Sequence, residues 1–219
     1  MPCGVAREFT NPPRRTNYTK SKMMRMKKIF ILLGHPDVSS LSAFFADSYE
    51  SGAKGAGHEV RRLNLGELSF DPILHKGYKE RQELEPDLLK IQENIKWADH
   101  FVVFYPSWWS TMPALLKGMF DRIWMPYFAF HFKPTGFGAG YIWYRLLKGR
   151  TARVFVTSDS HPLAARFIFG DTTKEIRKCI LWFAGFHARV KKIGPLKFAP
   201  ASRIDKWRRK FKNWGRIAY

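Results

Sequence analysis

The chain has 219 residues, of which 45% are hydrophobic, 16% aromatic and 26% charged, and its formal net charge is +20. This composition excludes a disordered or fibrous protein, and the length suits one α/β domain with a full core. The two cysteines, Cys3 and Cys179, give no disulfide framework, which is typical of a reducing compartment. The sequence has no apolar run of the roughly 18 residues that span a bilayer and no secretory signal pattern, so we expect a cytoplasmic location.

The positive charge lies at the two ends of the sequence. Residues 1–28 contain eight Lys or Arg and one acid, residues 184–219 contain eleven and one, and residues 29–183 contain nineteen basic and sixteen acidic residues. The middle is therefore nearly balanced, as in an ordinary globular domain. Residues 1–27 have no hydrophobic period, which predicts a flexible basic tail before a single domain over 28–219.

Five segments have the patterns of β-strands. Residues 29–33, 101–105 and 154–157 are continuous apolar runs, typical of strands buried on both faces, whereas 59–65 alternates and 188–193 forms the last strand. Helical patterns occupy the intervals and the end of the chain: 40–54, 86–98, 114–123, 172–183 and 203–214. This alternation predicts an α/β fold, a flavodoxin-like three-layer sandwich whose five-stranded parallel sheet has the order 2-1-3-4-5.

Ligands bind at the carboxyl ends of the strands in such sheets, and three loops of this chain occupy that position. The first runs from Gly34 to Ser42 without a Walker lysine or G-x-G-x-x-G motif. Its hydroxyls and His35 could donate hydrogen bonds to a phosphate at a helix N-terminus. An equally good interpretation of this loop alone is a capping serine and a surface histidine.

The second loop contains Pro106, Ser107, Trp108 and Trp109. Two adjacent tryptophans after a buried strand are hard to explain as core, and a flavin ring needs aromatic walls of this kind. The third loop, Thr157-Ser158-Asp159-Ser160-His161, offers hydroxyls for the polar edge of such a ring. Its Asp159 and His161 are candidates for proton transfer, although a structural role in a turn is favoured for both.

Four motifs occur together: Gly34-His35-Pro36, Ser40-Leu41-Ser42, Pro106-x-Trp108-Trp109, and Pro113-Ala114-Leu115-Leu116-Lys117-Gly118-x-Phe120-Asp121-Arg122. This combination resembles the flavodoxin-fold quinone reductases of the NAD(P)H dehydrogenase family over roughly residues 28–215, most specifically over 105–130. The resemblance implies a flavin, FMN or FAD, with NAD(P)H as co-substrate and a quinone-like acceptor. It also implies a homodimer with the site at the subunit boundary.

The resemblance also implies roles for individual residues. His35, Ser40, Leu41 and Ser42 would lie near the phosphates. The loops Pro106–Trp109 and Thr157–Ser160 would border the isoalloxazine ring. Trp109 and the aromatic residues after the third helix would line the acceptor pocket: Phe128, Phe130 and Phe132.

The chain departs from the family pattern in the third loop. The family's Thr-Thr-Gly-Gly is replaced by Thr157-Ser158-Asp159-Ser160, and the tyrosine and histidine of some quinone reductases have no clear equivalents. His161 comes too early, and Phe169 stands near the expected place of the histidine. An electron carrier or a flavin-binding regulatory protein, such as an ancillary subunit of an ion-transport system, therefore remains an alternative.

The C-terminal segment 203–216 has one apolar helical stripe surrounded by basic residues, and we expect the stripe to cover the sheet. Its basic face could also bind an anionic membrane at the inner surface of the cell. A membrane- or nucleic-acid-binding protein that retains a disused fold is a further alternative, with nucleic acid the less expected partner. The scattered histidines predict no metal site. The glycines of 136–140 do not form a dinucleotide fingerprint, and they indicate a mobile loop.

Overall fold

The computed structural model describes residues 25–133 and 142–218. Five parallel strands form one sheet: β1 (Lys28–Leu33), β2 (Glu59–Asn64), β3 (His100–Pro106), β6 (Thr151–Thr157) and β7 (His187–Ile193). Their order is β2-β1-β3-β6-β7, which is the predicted 2-1-3-4-5 when only the strands of this sheet are counted. The remaining strands, β4 (Phe130–Phe132) and β5 (Trp143–Arg145), pair antiparallel outside it.

The helices cover both faces of the sheet, as predicted. They are α1 (Leu41–Gly55), α2 (Pro86–Trp97), α3 (Ala114–Ile123), α4 (Pro162–Phe169), α5 (Ala201–Ile217) and a π-helix (Glu175–Trp182). One core includes α2, α3 and the π-helix, and the other includes α1 and α5. β3 contributes side chains to both cores because successive residues of a strand point to opposite faces.

Helices α1 and α5 pack unusually closely because each has a glycine at the crossing. A Cβ atom on Gly52 would lie 1.9 Å from the carbonyl oxygen of Lys212, and one on Gly215 would lie 1.9 Å from that of Tyr49. The predicted apolar stripe of α5 is confirmed. Its Phe211 is buried, and the rest of the stripe packs against the second core: Ile204, Trp207 and Trp214.

Three elements differ from the sequence prediction. The segment predicted as a helix over 172–183 is a π-helix, and the hairpin β4–β5 and the helix α4 were not predicted. The hairpin strands have only three residues each, too short for a periodicity to show. α4 buries none of its residues, so it lacks the one-sided pattern by which a helix is recognised. Most of the predicted tail 1–27 and the glycine segment 136–140 lie outside the described residues.

Candidate functional site

The three predicted loops meet at the carboxyl edge of the sheet because the central strands end in register. Leu33 pairs with Phe104, and Thr157 pairs with both Pro106 and Ile193. Two adjoining clefts lie there. The inner cleft is lined by His35, Ser40, Leu41, Ser42, Pro106, Ser107, Trp108, Thr157, Ser158, Asp159 and Leu196. The outer cleft is lined by Ser107, Trp109, Ser110, Ser158, Asp159, Ser160, Pro162, Ala165, Phe169, Thr172 and Lys192.

The two clefts form one elongated site because they share Ser107, Ser158 and Asp159. Every residue predicted to bind the cofactor lines one of them or both. His161 lines neither; it precedes α4 and makes no side-chain capping hydrogen bond to it. Of the two candidates for proton transfer, only Asp159 therefore faces the site.

The loop after β1 holds His35 in a defined tautomer. The backbone N–H of Asp37 donates to His35 Nδ1 over 2.8 Å, so the neutral ring carries its proton on Nε2. Burial lowers the pKa of His35, against the opposing effect of the Asp37 carboxylate, which favours this neutral form. The His35 ring also contacts the Trp108 ring edge to face, with centroids 5.4 Å apart. The loop therefore offers a neutral N–H donor to the inner cleft.

Helix α1 begins at the inner cleft. Ser40 caps it, accepting a hydrogen bond from the N–H of Ala43 over 3.3 Å. Leu41 and Ser42 are the first two helical residues, so their N–H groups have no acceptor within the helix. Since the positive end of the helix dipole lies here as well, this end of the cleft suits an anion.

A buried hydrogen bond fixes α1 to the end of β6. The hydroxyls of Ser42 and Thr157 lie 2.8 Å apart, and both side chains are buried. Both residues line the inner cleft, and their hydroxyls are hydrogen-bonded to each other there. Ser40, by contrast, is only partly buried where it lines the cleft.

The loop after β3 presents its tryptophans through a tight turn. The backbones of Trp108 and Thr111 exchange two hydrogen bonds of 3.0 Å, and the two residues between them, Trp109 and Ser110, have φ values of 49° and 67°. Consecutive left-handed residues are usually Asn-Gly or Gly-containing pairs, and a bulky side chain there is strained by about 1–3 kcal/mol. Trp109 is 99% exposed, so packing does not offset this strain. Strain at an exposed aromatic residue is typical of a ligand-binding position.

The loop after β6 is held by the segment that follows β7. The N–H of Ser158 donates to the carbonyl of Ile193, and the N–H of Leu196 donates to the carbonyl of Ser158. The Ser158 hydroxyl accepts from the N–H of Ser160 over 3.1 Å. These bonds leave the Asp159 side chain between the inner and the outer cleft.

Lys192 is a site residue that the sequence reasoning missed. It lines the outer cleft and donates a short hydrogen bond to Thr172. Burial lowers its pKa, opposed by Asp171, while Arg166 lowers it further. It lies on the edge strand β7, one residue before the strand ends. This position near the carboxyl edge of the sheet is the sequence feature that could have identified it.

The predicted acceptor-pocket residues Phe128, Phe130 and Phe132 do not line either cleft of the same chain. Helix α3 runs from the carboxyl edge towards the amino edge of the sheet, so the residues after it lie at the opposite edge. Phe128 is only 6% exposed and packs under Lys96, which ends α2 just before β3 begins. Phe130 packs against Phe183, shortly before β7. These three residues therefore do not join the two clefts within the described chain, and their place in an acceptor pocket at a subunit boundary stays a prediction.

Over residues 25–133 and 142–218, no group of three His, Cys, Asp or Glu side chains could hold a metal ion. In the same ranges, none of the helices has the length and apolar character needed to cross a membrane.

Fold and site together define a doubly wound flavodoxin-like protein whose ligand cleft lies at the carboxyl edge of the sheet. The chain belongs to the family described as having a flavodoxin-like fold, whose model matches residues 27–190. This confirms the family expected from the sequence.

Individual relatives agree with this assignment. The chain is 29% identical over 106 residues to the uncharacterized NAD(P)H oxidoreductase YcaK of Escherichia coli K12, covering 46% of this chain and 54% of that protein. It is 34% identical over 156 residues to the ribosyldihydronicotinamide dehydrogenase [quinone] of Pongo abelii, covering 62% and 64%. The crystal structure of Smu.1420 from Streptococcus mutans superposes with a TM-score of 0.74 at 27% identity, covering 86% and 98%. The chain spans about half the length of the curated relatives it matches.

Proposed function

We propose that this protein is a flavin-dependent NAD(P)H oxidoreductase that passes hydride from NAD(P)H, through bound FMN or FAD, to a quinone-like acceptor. The observation that carries the proposal is the elongated carboxyl-edge site, which combines an anion-binding helix terminus, a row of hydroxyls and two tryptophans. The names of relatives as NAD(P)H oxidoreductases and quinone-linked dehydrogenases support it.

The inner cleft fits the phosphate end of a flavin. The Nε2–H of His35 and the free N–H groups of Leu41 and Ser42 are neutral donors around one position. Ser40 adds a hydroxyl, and the dipole of α1 adds partial positive charge. FMN and FAD both carry phosphate at the end of the ribityl chain, so these residues would hold either.

The boundary of the two clefts fits the ring system. Trp108 and Trp109 provide flat apolar surfaces, and Ser107, Ser158 and Ser160 provide polar groups along the other side. When bound there, the flavin would supply the chemistry of accepting and donating hydride, which no side chain of this chain can do. The protein's own contribution is to orient the ring and to exclude water from it.

Lys192 and Asp159 are the charged residues that line the outer cleft. Lys192 would stabilise negative charge at the polar edge of the ring, because its burial leaves the ammonium poorly solvated. Asp159 lies in both clefts and could hold or accept a proton there. This pair would replace the tyrosine and histidine that the third loop lacks.

A second copy of the chain would complete the acceptor side of the site. Helix α4 buries none of its residues and exposes Leu163, Phe167 and Ile168. Pro162, Ala165 and Phe169 of the same helix line the outer cleft together with the exposed Trp109. An apolar face of this kind is typical of a protein interface. The aromatic residues Phe130 and Phe132, which do not reach the cleft of their own chain, could reach it only from a partner in such a homodimer.

The outward face of α5 supports a peripheral membrane location as part of this proposal. The helix turns its apolar stripe inward and exposes seven basic residues: Arg203, Lys206, Arg208, Arg209, Lys210, Lys212 and Arg216. Asp205 is paired with two of them, Arg208 and Arg209. Such a face attracts anionic lipid and would bring a lipid-soluble acceptor within reach.

The test is to add FMN or FAD to the purified protein and to follow the oxidation of NADH and NADPH with and without a water-soluble quinone. We expect flavin binding and quinone-dependent turnover. Trp109→Ala should impair both flavin binding and turnover, whereas Trp182→Ala, a partly exposed tryptophan outside the clefts, should not. A protein that takes up neither flavin would refute the proposal.

The altered third loop favours one second candidate, a flavin-binding carrier or regulatory protein without NAD(P)H turnover. Thr157–Ser160 lacks the paired glycines of the quinone reductases. Flavin binding with no oxidation of either nicotinamide would establish this alternative.

A further inference from the structure

The outer cleft combines an apolar lining with a cationic corner. The apolar lining comes from the turn after β3 and from helix α4: Trp109, Pro162, Ala165 and Phe169. The cationic corner is formed by Lys192 on β7 and by Thr172, which precedes the π-helix. The cleft has a volume of about 230 Å³, against about 150 Å³ for the inner cleft. This lining suits a flat ring with one polar substituent.

The ammonium group of Lys192 has a neutral hydrogen-bond partner, the hydroxyl of Thr172. Within the described residues it forms no ion pair with a carboxylate. The carboxylate of Asp171 acts on it only through its charge, because Asp171 accepts hydrogen bonds from Thr173 and Arg177 over 2.7–3.1 Å. An ammonium group has three N–H donors, so two of those of Lys192 remain for a ligand. The Thr172 oxygen accepts from Lys192, which leaves the hydroxyl proton as a third donor.

The surroundings of Lys192 favour a charged partner over a neutral one. The residue is half-buried, and burial is the main cause that lowers its pKa; Asp171 opposes this effect and Arg166 on α4 adds to it. A partly desolvated ammonium gains most from an anion, because hydrogen bonds between charged groups are about twice as strong as neutral ones. Asp159, the other charged residue of the lining, is shared with the inner cleft, whereas Lys192 and Thr172 line the outer cleft alone. The place for an anion is therefore the corner of Lys192 and Thr172.

One segment of the chain positions both the cationic corner and the tryptophan turn. Thr172 holds Lys192, and three residues later Glu175 accepts a hydrogen bond from the hydroxyl of Thr111 over 3.1 Å. Thr111 in turn closes the turn that presents Trp109. The fold therefore sets the spacing between the aromatic side chain and the ammonium group before a ligand arrives, and such preorganisation lowers the cost of binding.

We propose that the outer cleft binds an aromatic quinone that carries a carboxylate, with the ring against Trp109 and the carboxylate on Lys192 and Thr172. The donors of this corner need a group that only accepts hydrogen bonds, and an ionised carboxylate is such a group. Lys192 keeps an N–H for the edge of the flavin ring, since it has two to offer. This inference rests on the proposed function, because it names the class of acceptor for that reaction. The carboxylate is unchanged by the reaction: the quinone ring gains the hydride that NAD(P)H supplies and one proton, and it leaves as a hydroquinone carboxylate.

The kinetic test compares 1,4-naphthoquinone-2-carboxylate with its neutral carboxamide at pH 7.5 and constant ionic strength. We expect the KM of the acid to be at least about fivefold lower than that of the amide. Lys192→Gln should remove this preference by raising the KM of the acid, and Lys192→Arg, which keeps the charge, should retain it. Lys191→Gln removes an exposed lysine of the same strand that lines neither cleft, so it should leave the preference unchanged. An effect of Lys192 on the flavin ring would alter turnover with both acceptors alike, so the ratio of the two KM values reports on the carboxylate.

A binding test separates this inference from the proposed reaction. Calorimetry with 2-naphthoate and 2-naphthamide, neither of which accepts hydride, measures the preference for a carboxylate without turnover. We expect the purified protein to prefer naphthoate and Lys192→Gln to lose that preference. A preference for naphthoate without any oxidation of NAD(P)H would support the carboxylate site and count against the proposed function.

Two results would overturn the inference and leave the proposed function intact. One is quinone turnover with equal KM values for the acid and the amide. The other is a Lys192→Gln variant in which the KM for NADPH rises and that for the quinone acid does not, because the anion held by Lys192 would then be a phosphate of the nucleotide.

Discussion

The crossing of α1 and α5 provides a sharp test of the packing, because one helix contains two glycines in opposite environments. At Gly52 an added Cβ would lie 1.9 Å from the backbone oxygen of Lys212, whereas at Gly55, three residues later, it would meet no atom within 4 Å. Neither residue has a positive φ. Glycine-to-alanine substitution therefore makes the same chemical change at both positions and differs only in the space available.

The expected magnitudes follow from these distances. Alanine stabilises a helix over glycine by up to about 1 kcal/mol, so Gly55→Ala should be neutral or slightly stabilising. At Gly52 the opposing atom belongs to the backbone, so the helices must separate by roughly 1 Å. Overpacking of this kind costs about 1–3 kcal/mol, and we expect the two variants to differ by about 2–3 kcal/mol in their free energy of unfolding.

Urea unfolding followed by circular dichroism would measure this difference. In a domain of this size about 2 kcal/mol corresponds to a fall in Tm of roughly 4–8 °C. Gly215→Ala meets the carbonyl of Tyr49 at the same crossing, so its effect should not add fully to that of Gly52→Ala. If Gly52→Ala were as stable as Gly55→Ala, the close approach of α1 and α5 would be refuted.

Three further predictions concern the two edges of the sheet. Ser40→Ala should cost about 1 kcal/mol of stability through loss of the helix cap, and it should weaken the binding of FMN more than that of riboflavin, which lacks the phosphate. Ser48→Ala, in the same helix but outside the cleft, is the control. An equal loss of affinity for both flavins would count against a phosphate site. Trp109→Ala should leave Tm unchanged or slightly higher, because the side chain is exposed and its backbone strained, while raising the KM for the quinone; a large fall in Tm would contradict this structure of the turn. The fold lowers the pKa of His100 from its ordinary 6.5 to about 3, so the unfolded chain binds a proton at this residue more readily than the folded chain does. The contribution of His100 to the free energy of unfolding is therefore fully present above pH 6.5 and is lost as the pH falls towards 3. Lowering the pH from 7.5 to 5.5 should cost on the order of 1 kcal/mol through this group, and His100→Asn, measured by urea unfolding at both pH values, should lack that share.

The elements that the sequence predicts well are those whose pattern is enforced by burial. β1, β3 and β6 lie in the middle of the sheet and are covered on both faces, so nearly every residue must be apolar. The stripe of α5 is equally clear, because its aromatic residues have to meet the second core. Once the strand order is inferred, the general rule for parallel sheets brings the loops after β1, β3 and β6 together. The lining of the inner cleft is therefore predictable except for Leu196, which reaches it from the segment after β7.

Residues that reach the site from the edge of the sheet are harder to predict. Lys192 follows the exposed Lys191 on β7, so the sequence gives no sign that it is half-buried. Only the register that pairs Thr157 with Ile193 brings it beside the outer cleft. The aromatic residues after α3 are a different case, because their proposed role depends on a second subunit. Their motif resembles the family's, but the direction of α3 carries them to the amino edge of their own chain. The motif alone does not indicate at which edge of the sheet these residues lie.

The position of the basic charge in the fold was also not predictable from the sequence. The basic residues lie near both ends of the sequence, and the fold brings some of them together. Lys27, just before β1, donates to the carbonyl of Ala218, just after α5, and both residues line a pocket at the amino edge of the sheet together with Arg153 and Arg189. The charge therefore concentrates at the amino edge and along α5, whereas the carboxyl-edge site presents mainly hydroxyl and aromatic groups. An anionic surface held along α5 would leave the carboxyl-edge site open to NAD(P)H and its acceptor.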